Sequence, residues 1–256
     1  MSESNQPLTN DIQRDSWARL GPLTLQEGAT AQSLVYATLR HALISGYFRP
    51  GEEISLRKAA AVLETSVTPV REALRRLEGD GGLETFGGNR VLRVPILTDA
   101  ELLDIRDIRL NLEGFAAVQA IKNIGPAQMR VINNAFNLMD LAAQSGDVDM
   151  YLENNWRFHS LIYRAADRPI LMSQIEGLWL RVGPLIHIAV ASPMHFDQSM
   201  DAHSAALQAL RDSDGDALQQ AIIRDISEAA CDLRQTLRNW EAQKEQHSRR
   251  GGRSSK

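Results

Sequence analysis

Apolar residues recur at helical spacing along most of this chain, interrupted once by a short alternating stretch. In residues 31–45, Leu34, Leu39, Ala42 and Leu43 share one side, which predicts an amphipathic helix stopping near Gly46. Ser55 precedes Leu56, Ala59, Ala60 and Leu63 at the same spacing, so a capped second helix follows. Glu64-Thr65-Ser66 reads as a tight turn. A third short helix then opens with Ser66 or Thr68 as cap and Pro69 in its first turn, where a missing N–H costs nothing. It buries Val70, Ala73, Leu74 and Leu77 and leaves Arg71, Arg75 and Arg76 outward. Residues 83–86 and 91–94 read as short strands around Gly87-Gly88-Asn89-Arg90, a hairpin loop by composition. Three helices followed by a hairpin make a winged helix.

After Pro95-Ile96-Leu97 the period turns helical and stays so. Thr98 or Asp99 opens a helix to about 122, Pro126 starts another, Asp147 caps a third to about 166, and Pro169 starts a fourth. Gly183-Pro184 is expected to break or kink that fourth helix. Further helices begin near Pro193 and near Asp214, the last running past Trp240. The fold expected is mainly α: an N-terminal winged helix-turn-helix with a small β-hairpin, then an antiparallel all-α bundle of six or seven helices. The expected division is a flexible segment over 1–29, the winged helix over 30–95, the bundle over 98–241 and a basic disordered tail over 242–256.

Charge adds a reason to separate the two parts. The chain of 256 residues has a net charge of −4, which looks wrong for a nucleic-acid binder. Residues 31–97, however, hold nine Lys/Arg against seven Asp/Glu, whereas residues 98–256 hold seventeen against twenty-one. Positive charge is thus placed locally, on a module attached to an acidic one. No run of 18 apolar residues occurs, and the start MSESNQPLTNDIQ is polar. A lone cysteine, Cys231, suits a reducing compartment. These features predict a cytoplasmic protein with no membrane partner.

A short helix with a polar N-terminus and a basic outer face fits the DNA major groove. The run GYFRPGEEISLRKAAAVLETSVTPVREALRRLEGDG also resembles the winged-helix domain of the GntR family of bacterial transcription regulators. The resemblance implies DNA contacts from Arg57, Ser66, Thr68, Pro69, Arg71 and Arg75, and from Gly88, Asn89 and Arg90 in the wing. Three positions depart from the family pattern: Val67 stands where arginine is usual, Gly82 where leucine is usual, and Val91 where the wing usually has glycine. Losing the arginine removes one bidentate contact to a base or phosphate.

In the bundle, Asn155 and His159 are four apart and share one helix face. His203 and Asp225 lie on later helices. Spacing alone fits core histidines hydrogen-bonded in a metal-free pocket. Arg109 follows Ile105 by four residues and borders the inward stripe of its helix, so it needs an anionic partner. That partner is either a small carboxylate ligand, held bidentately with Arg181 as helper, or Glu113 at i+4.

The segments RLNLEG, NNWRFHSLIYRAADRP and DAHSAALQALRDSD resemble the FCD ligand-binding domain of the FadR subfamily within GntR regulators. The resemblance implies a divalent metal (Zn, Mn, Fe or Ni) held by Asn155, His159, His203 and Asp225, the last standing where a third histidine is usual. A carboxylate there shifts preference toward harder ions. It further implies a homodimer that binds a double-stranded operator and answers to a small carboxylate effector, most often as a repressor and not as an enzyme. Two other readings remain open from the residues: a metal-dependent helical-bundle enzyme with a DNA-binding arm, and a metal sensor without an organic effector.

Overall fold

The computed structural model describes residues 15–24, 28–87, 91–190 and 195–251. Three helices lead: α1 (Ala31–Ile44), α2 (Leu56–Val62) and α3 (Val67–Gly79). Side chains cap the first two, Thr30 accepting from the Ser33 N–H and Ser55 from the Lys58 N–H. Ser66 precedes α3 without a side-chain cap; Pro69 sits in the first turn, where an N–H would have no intrahelical acceptor, so its missing donor costs nothing. Val70, Ala73, Leu74 and Leu77 are all buried. Each stabilises the module by roughly 1–3 kcal/mol, Ala73 least. α3 packs on α1 and α2 through this stripe.

Strands β1 (Glu84–Phe86) and β2 (Val91–Arg93) form an antiparallel hairpin in the register Glu84–Arg93, Thr85–Leu92 and Phe86–Val91. Cross-strand chemistry fixes it: Arg93 Nε donates to Glu84 at 2.6 Å and its guanidinium covers the Phe86 ring. The segment before α2 joins the edge, Ile54 N–H donating to Leu92 and Val94 N–H to Glu52.

Six helices follow: α4 (Asp99–Ala120), α5 (Pro126–Ser145), α6 (Val148–Ala165), α7 (Pro169–Val190), α8 (His195–Asp212) and α9 (Gly215–Gly251). A capping box starts α4, Thr98 accepting from the Glu101 N–H while Glu101 accepts from the Thr98 N–H. Gly146, in the left-handed region, ends α5, and Asp147 caps α6. The strongest pairings are α4 with α9, α5 with α6, and α8 with α9. α7 packs against α4, α6 and α9 and also against α1, so it touches both halves of the chain.

Three expectations meet further detail. α7 runs through Pro184 as one helix, without the break that was one of the two outcomes expected there. The lost hydrogen bond is outweighed because Leu180, Val182, Leu185 and Ile186 are buried on both sides of the proline. Part of the segment expected to be flexible is packed. Ser16–Arg19 forms a 3-10 turn whose Trp17 is buried with its ring centroid 4.9 Å from that of Phe48. Lys58 pairs with Asp15 at 2.9 Å, Leu23 N–H donates to Leu63, and Arg19 pairs with Asp149 of α6. Finally, the backbone of 242–251 continues α9, and 252–256 lie outside the described residues.

Candidate functional site

The outward side of α3 carries Arg71 and Arg75, both exposed, with Ser66 and Thr68 exposed at its N-terminus and Pro69 half-buried. Arg57 of α2 is exposed as well. Arg75 stands 3.9 Å from Glu72, a surface pairing that holds the arginine weakly. Arg76 is exposed as well but is held at its tip. Its guanidinium lies over the Tyr36 ring at 3.8 Å, and the Tyr36 hydroxyl donates to Asp80 at 2.5 Å, so this arginine is engaged by α1. Val67 is exposed and presents an apolar side chain at the start of the same face. Gly88, Asn89 and Arg90 lie outside the described residues.

Inside the bundle the four predicted ligands meet. α6 supplies Asn155 and His159 from one face, α8 supplies His203 and α9 supplies Asp225, all buried. His159 Nε2 is 3.1 Å from His203 Nε2 and 3.3 Å from Asp225 Oδ2, and His203 Nε2 is 3.0 Å from Asn155 Oδ1. One donor atom from each of His159, His203 and Asp225 falls within 4.8 Å of the others, so this group can hold a metal ion. Ser199, one turn before His203, places its carbonyl oxygen 2.6 Å from His203 Nδ1. A carbonyl only accepts, so Nδ1 carries the proton and Nε2 presents a lone pair. The Asp225 carboxylate and Asn155 Oδ1 are acceptors too. Nitrogen and oxygen lone pairs thus converge on one point, a donor set that suits a cation.

Electrostatics agree. Burial opposes ionisation of Asp225, but His203 and His159 beside it, with Arg109 nearby, hold its carboxyl down at about 2. Burial lowers His203, assisted by His159 and opposed by Asp225, which favours the neutral, ligating imidazole. Phe158 closes the group from behind, its ring edge-on to both imidazoles.

Beside this cluster lies a cavity of about 50 Å³ lined by Arg109, Tyr151, Asn155, Trp179, Ser199 and Asp225, among others. Arg109 is buried and paired with Glu113, Nε donating at 2.5 Å, and its guanidinium lies 4.5 Å from the Trp179 ring. The Trp179 N–H donates to Glu113 at 3.1 Å. Burial lowers the Arg109 pKa, and the Glu113 carboxylate more than offsets it, leaving a firmly charged guanidinium. The two readings of Arg109 thus meet in one residue: it has its i+4 partner and it borders the cavity.

Arg181 does not join it. The side chain lines a different cleft, between α1, α3, α4 and α7, with its guanidinium against Gly81. Two residues along a helix turn about 200°, so with Trp179 facing the cavity Arg181 must face away. Glu113 is the i+4 partner the sequence offered for Arg109; residues missed there are Ser199 and Tyr151. Ser199 carried a readable signal, since it precedes His203 by four, just as Tyr163 follows His159 by four.

Comparison with known proteins separates the same two parts. The family described as bacterial regulatory proteins, gntR family, matches residues 31–92, and the FCD domain matches residues 104–228. The HTH-type transcriptional regulator McbR of Escherichia coli K12 is 29% identical over 186 residues, 72% of this chain and 84% of that protein. A probable D-xylose utilization operon transcriptional repressor of Paenarthrobacter nicotinovorans is 28% identical over 69% of this chain and 77% of its own length. The solved structure of Escherichia coli McbR/YncC superposes with a TM-score of 0.75 at 27% identity, covering 81% of this chain and 98% of that one.

Proposed function

We propose, for a chain that belongs to the GntR family and carries an FCD domain behind its winged helix, that it is a DNA-binding transcription regulator controlled from the His159–His203–Asp225 site. The DNA-binding, regulatory part of this reading is what its relatives share. The rest is ours: repression by a homodimer in the cytoplasm, a divalent ion at Asn155, His159, His203 and Asp225, and a small carboxylate effector beside Arg109. The two modules are assigned to 30–95 and 98–241. Operator contact is assigned to Arg57, Ser66, Thr68, Pro69, Arg71 and Arg75, with Gly88, Asn89 and Arg90 as the wing.

The observation that carries the ligand half is the convergence of His159, His203 and Asp225 from α6, α8 and α9, one ligating atom of each within 4.8 Å of the others, with Asn155 Oδ1 3.0 Å from His203 Nε2. A bound divalent ion would supply the missing positive charge and a docking point for a carboxylate. Two imidazoles and two oxygens suit Mn²⁺ or Fe²⁺ as well as Zn²⁺ or Ni²⁺.

The path of α7 supports the switching half. Trp179, Ile186 and Ala189 of α7 line the cavity beside Arg109, while Leu180 and Arg181 of the same helix lie against Gly82 and Gly81 at the end of α3. A ligand that shifts α7 moves the helix on which the DNA-binding module rests, and its differential affinity for the two arrangements moves the operator equilibrium.

Native mass spectrometry with elemental analysis of freshly purified protein tests the ligand half. One divalent ion per chain in a dimer, lost in His203→Ala, is expected. A metal-free wild type that takes up no ion on dialysis against Mn²⁺ or Zn²⁺ contradicts it.

A further inference from the structure

Residues 15–23 lie ahead of both family-matched regions, yet their side chains reach both modules. We propose that this segment is a strap that fixes the winged helix against the bundle, with Arg19 and Asp149 as the pair that fastens it. Of the reading above it draws on DNA binding alone.

The strap is secured to the winged helix first. Asp15 caps its turn by accepting from the Trp17 N–H at 3.1 Å and pairs with Lys58 of α2 at 2.9 Å. The Ser16 hydroxyl donates to Glu52 at 2.8 Å, and the Leu23 N–H donates to the Leu63 carbonyl at 3.2 Å. Trp17, buried against Phe48, is the apolar anchor that these polar contacts hold in register.

The fastening to the bundle runs through one guanidinium. Arg19 pairs with Asp149 of α6, and its guanidinium carbon lies 4.9 Å from the centroid of the Tyr47 ring, on the winged-helix side. Only 19% of the Arg19 side chain and 25% of the Asp149 side chain remain exposed, so solvent and salt screen this pair less than a surface one. One turn on, Glu153 accepts from the Tyr47 hydroxyl at 3.0 Å and stands 3.1 Å from His41 Nε2.

Deeper in, the modules meet backbone on backbone: a Cβ on Gly183 would lie 2.3 Å from the Ile44 carbonyl oxygen. A glycine contact is close but smooth. Resistance to sliding falls to the side chains around it, which are the Arg40–Glu176 pair at 2.7 Å, two turns back along α7, and the group of Arg19, Tyr47, Asp149 and Glu153. Two residues along a helix turn about 200°, so Glu153 and Asn155 face opposite sides of α6. One side of α6 thus holds the winged helix, and the other holds the histidine site. A module kept in one orientation presents α3 to DNA already placed, whereas a swinging one gives up that freedom on binding and binds more weakly.

The test is a cycle of wild type, Arg19→Ala, Asp149→Asn and the double variant, all without added metal or carboxylate. Hydrogen exchange is followed in peptides covering 42–48 and 180–187, which contain neither substituted residue. The dissociation constant for operator DNA selected from genomic fragments is measured alongside. Each single variant is expected to exchange about fivefold faster or more in both peptides and to bind operator about fivefold more weakly or worse. The double variant is expected to match the weaker single one, because both substitutions break the same contact. Unchanged exchange in those peptides overturns the proposal, since the strap then holds only itself. Operator constants within about twofold of wild type, tighter binding, or additive losses in the double variant overturn it as well. Should wild type select no DNA, the DNA-binding reading falls and the exchange arm decides on the strap by itself. Should Arg19→Ala fail to fold, Arg19→Gln takes its place in the same cycle.

Discussion

Leu180 of α7 fills the space that a side chain at position 82 would need: a Cβ on Gly82 would lie 2.8 Å from Leu180 Cγ. The neighbouring Gly81 meets the Arg181 guanidinium in the same way, at 2.5 Å. Gly183 sits against the last carbonyls of α1, with Leu43 O 2.7 Å from where its Cβ would be. The absence of a leucine at position 82, a departure from the family pattern, thus has a physical counterpart in how closely α7 approaches the end of α3. Gly82→Leu is expected to force this contact apart and cost about 1–3 kcal/mol by overpacking. Thermal unfolding measures it; an unchanged Tm contradicts the close docking.

Arg71→Ala and Arg75→Ala act on the exposed face of α3, where neither side chain is buried. Stability is expected to change by less than about 0.5 kcal/mol. Operator affinity, followed by fluorescence anisotropy on DNA recovered by affinity selection from genomic fragments, is expected to fall at least tenfold in each. A residue on a phosphate lowers the salt dependence by about one unit of slope, whereas a residue on a base relaxes selectivity at one position. Salt titration tells these apart.

His187 of α7 is half-buried against Gly46, and its partial burial, with Arg19 adding to it, pushes its pKa down to about 4. The unfolded chain takes up this proton near 6.5, before the folded one does. Between those values the unfolded state binds more protons, so stability is lost as pH falls from about 6.5 to 4 and is fully present above that window. The loss is about 3 kcal/mol at its limit. His187→Gln is expected to flatten the urea midpoint over this range relative to wild type, and an equal slope in both proteins contradicts the assignment.

Trp17 anchors the N-terminal turn between Phe48 and Lys58. Trp17→Ala is expected to destabilise the protein by about 3 kcal/mol, as for other large buried aromatics. Urea denaturation checks it; a loss below about 0.5 kcal/mol shows the turn to be idle.

Local chemistry made much of this legible. Caps at Ser55, Thr98 and Asp147 and the stripe Val70, Ala73, Leu74 and Leu77 mark helices by short-range rules, and the structure has them there. Asn155 and His159 share a face by spacing, and family resemblance brought in His203 and Asp225. What the sequence could not reveal depends on rotation and distant partners. Trp17 is one aromatic in a polar stretch, and only its partner Phe48, far along the chain, explains it. The role of Arg181 turned on which side of α7 faces the cavity. Pro184 signals a break locally, yet burial on either side carries the helix through it.

The central claim is that the buried His159–His203–Asp225 site governs the α3 face. The most direct test is the dissociation constant for selected operator DNA, measured for wild type and for His203→Ala. Each is titrated with Mn²⁺ or Zn²⁺, alone and with a panel of two- to six-carbon mono- and dicarboxylates. At least one condition is expected to shift the wild-type constant tenfold or more and the variant by less than twofold, with both proteins equal when no ligand is added. Equal shifts in both, or no shift in wild type under any condition, would contradict the account.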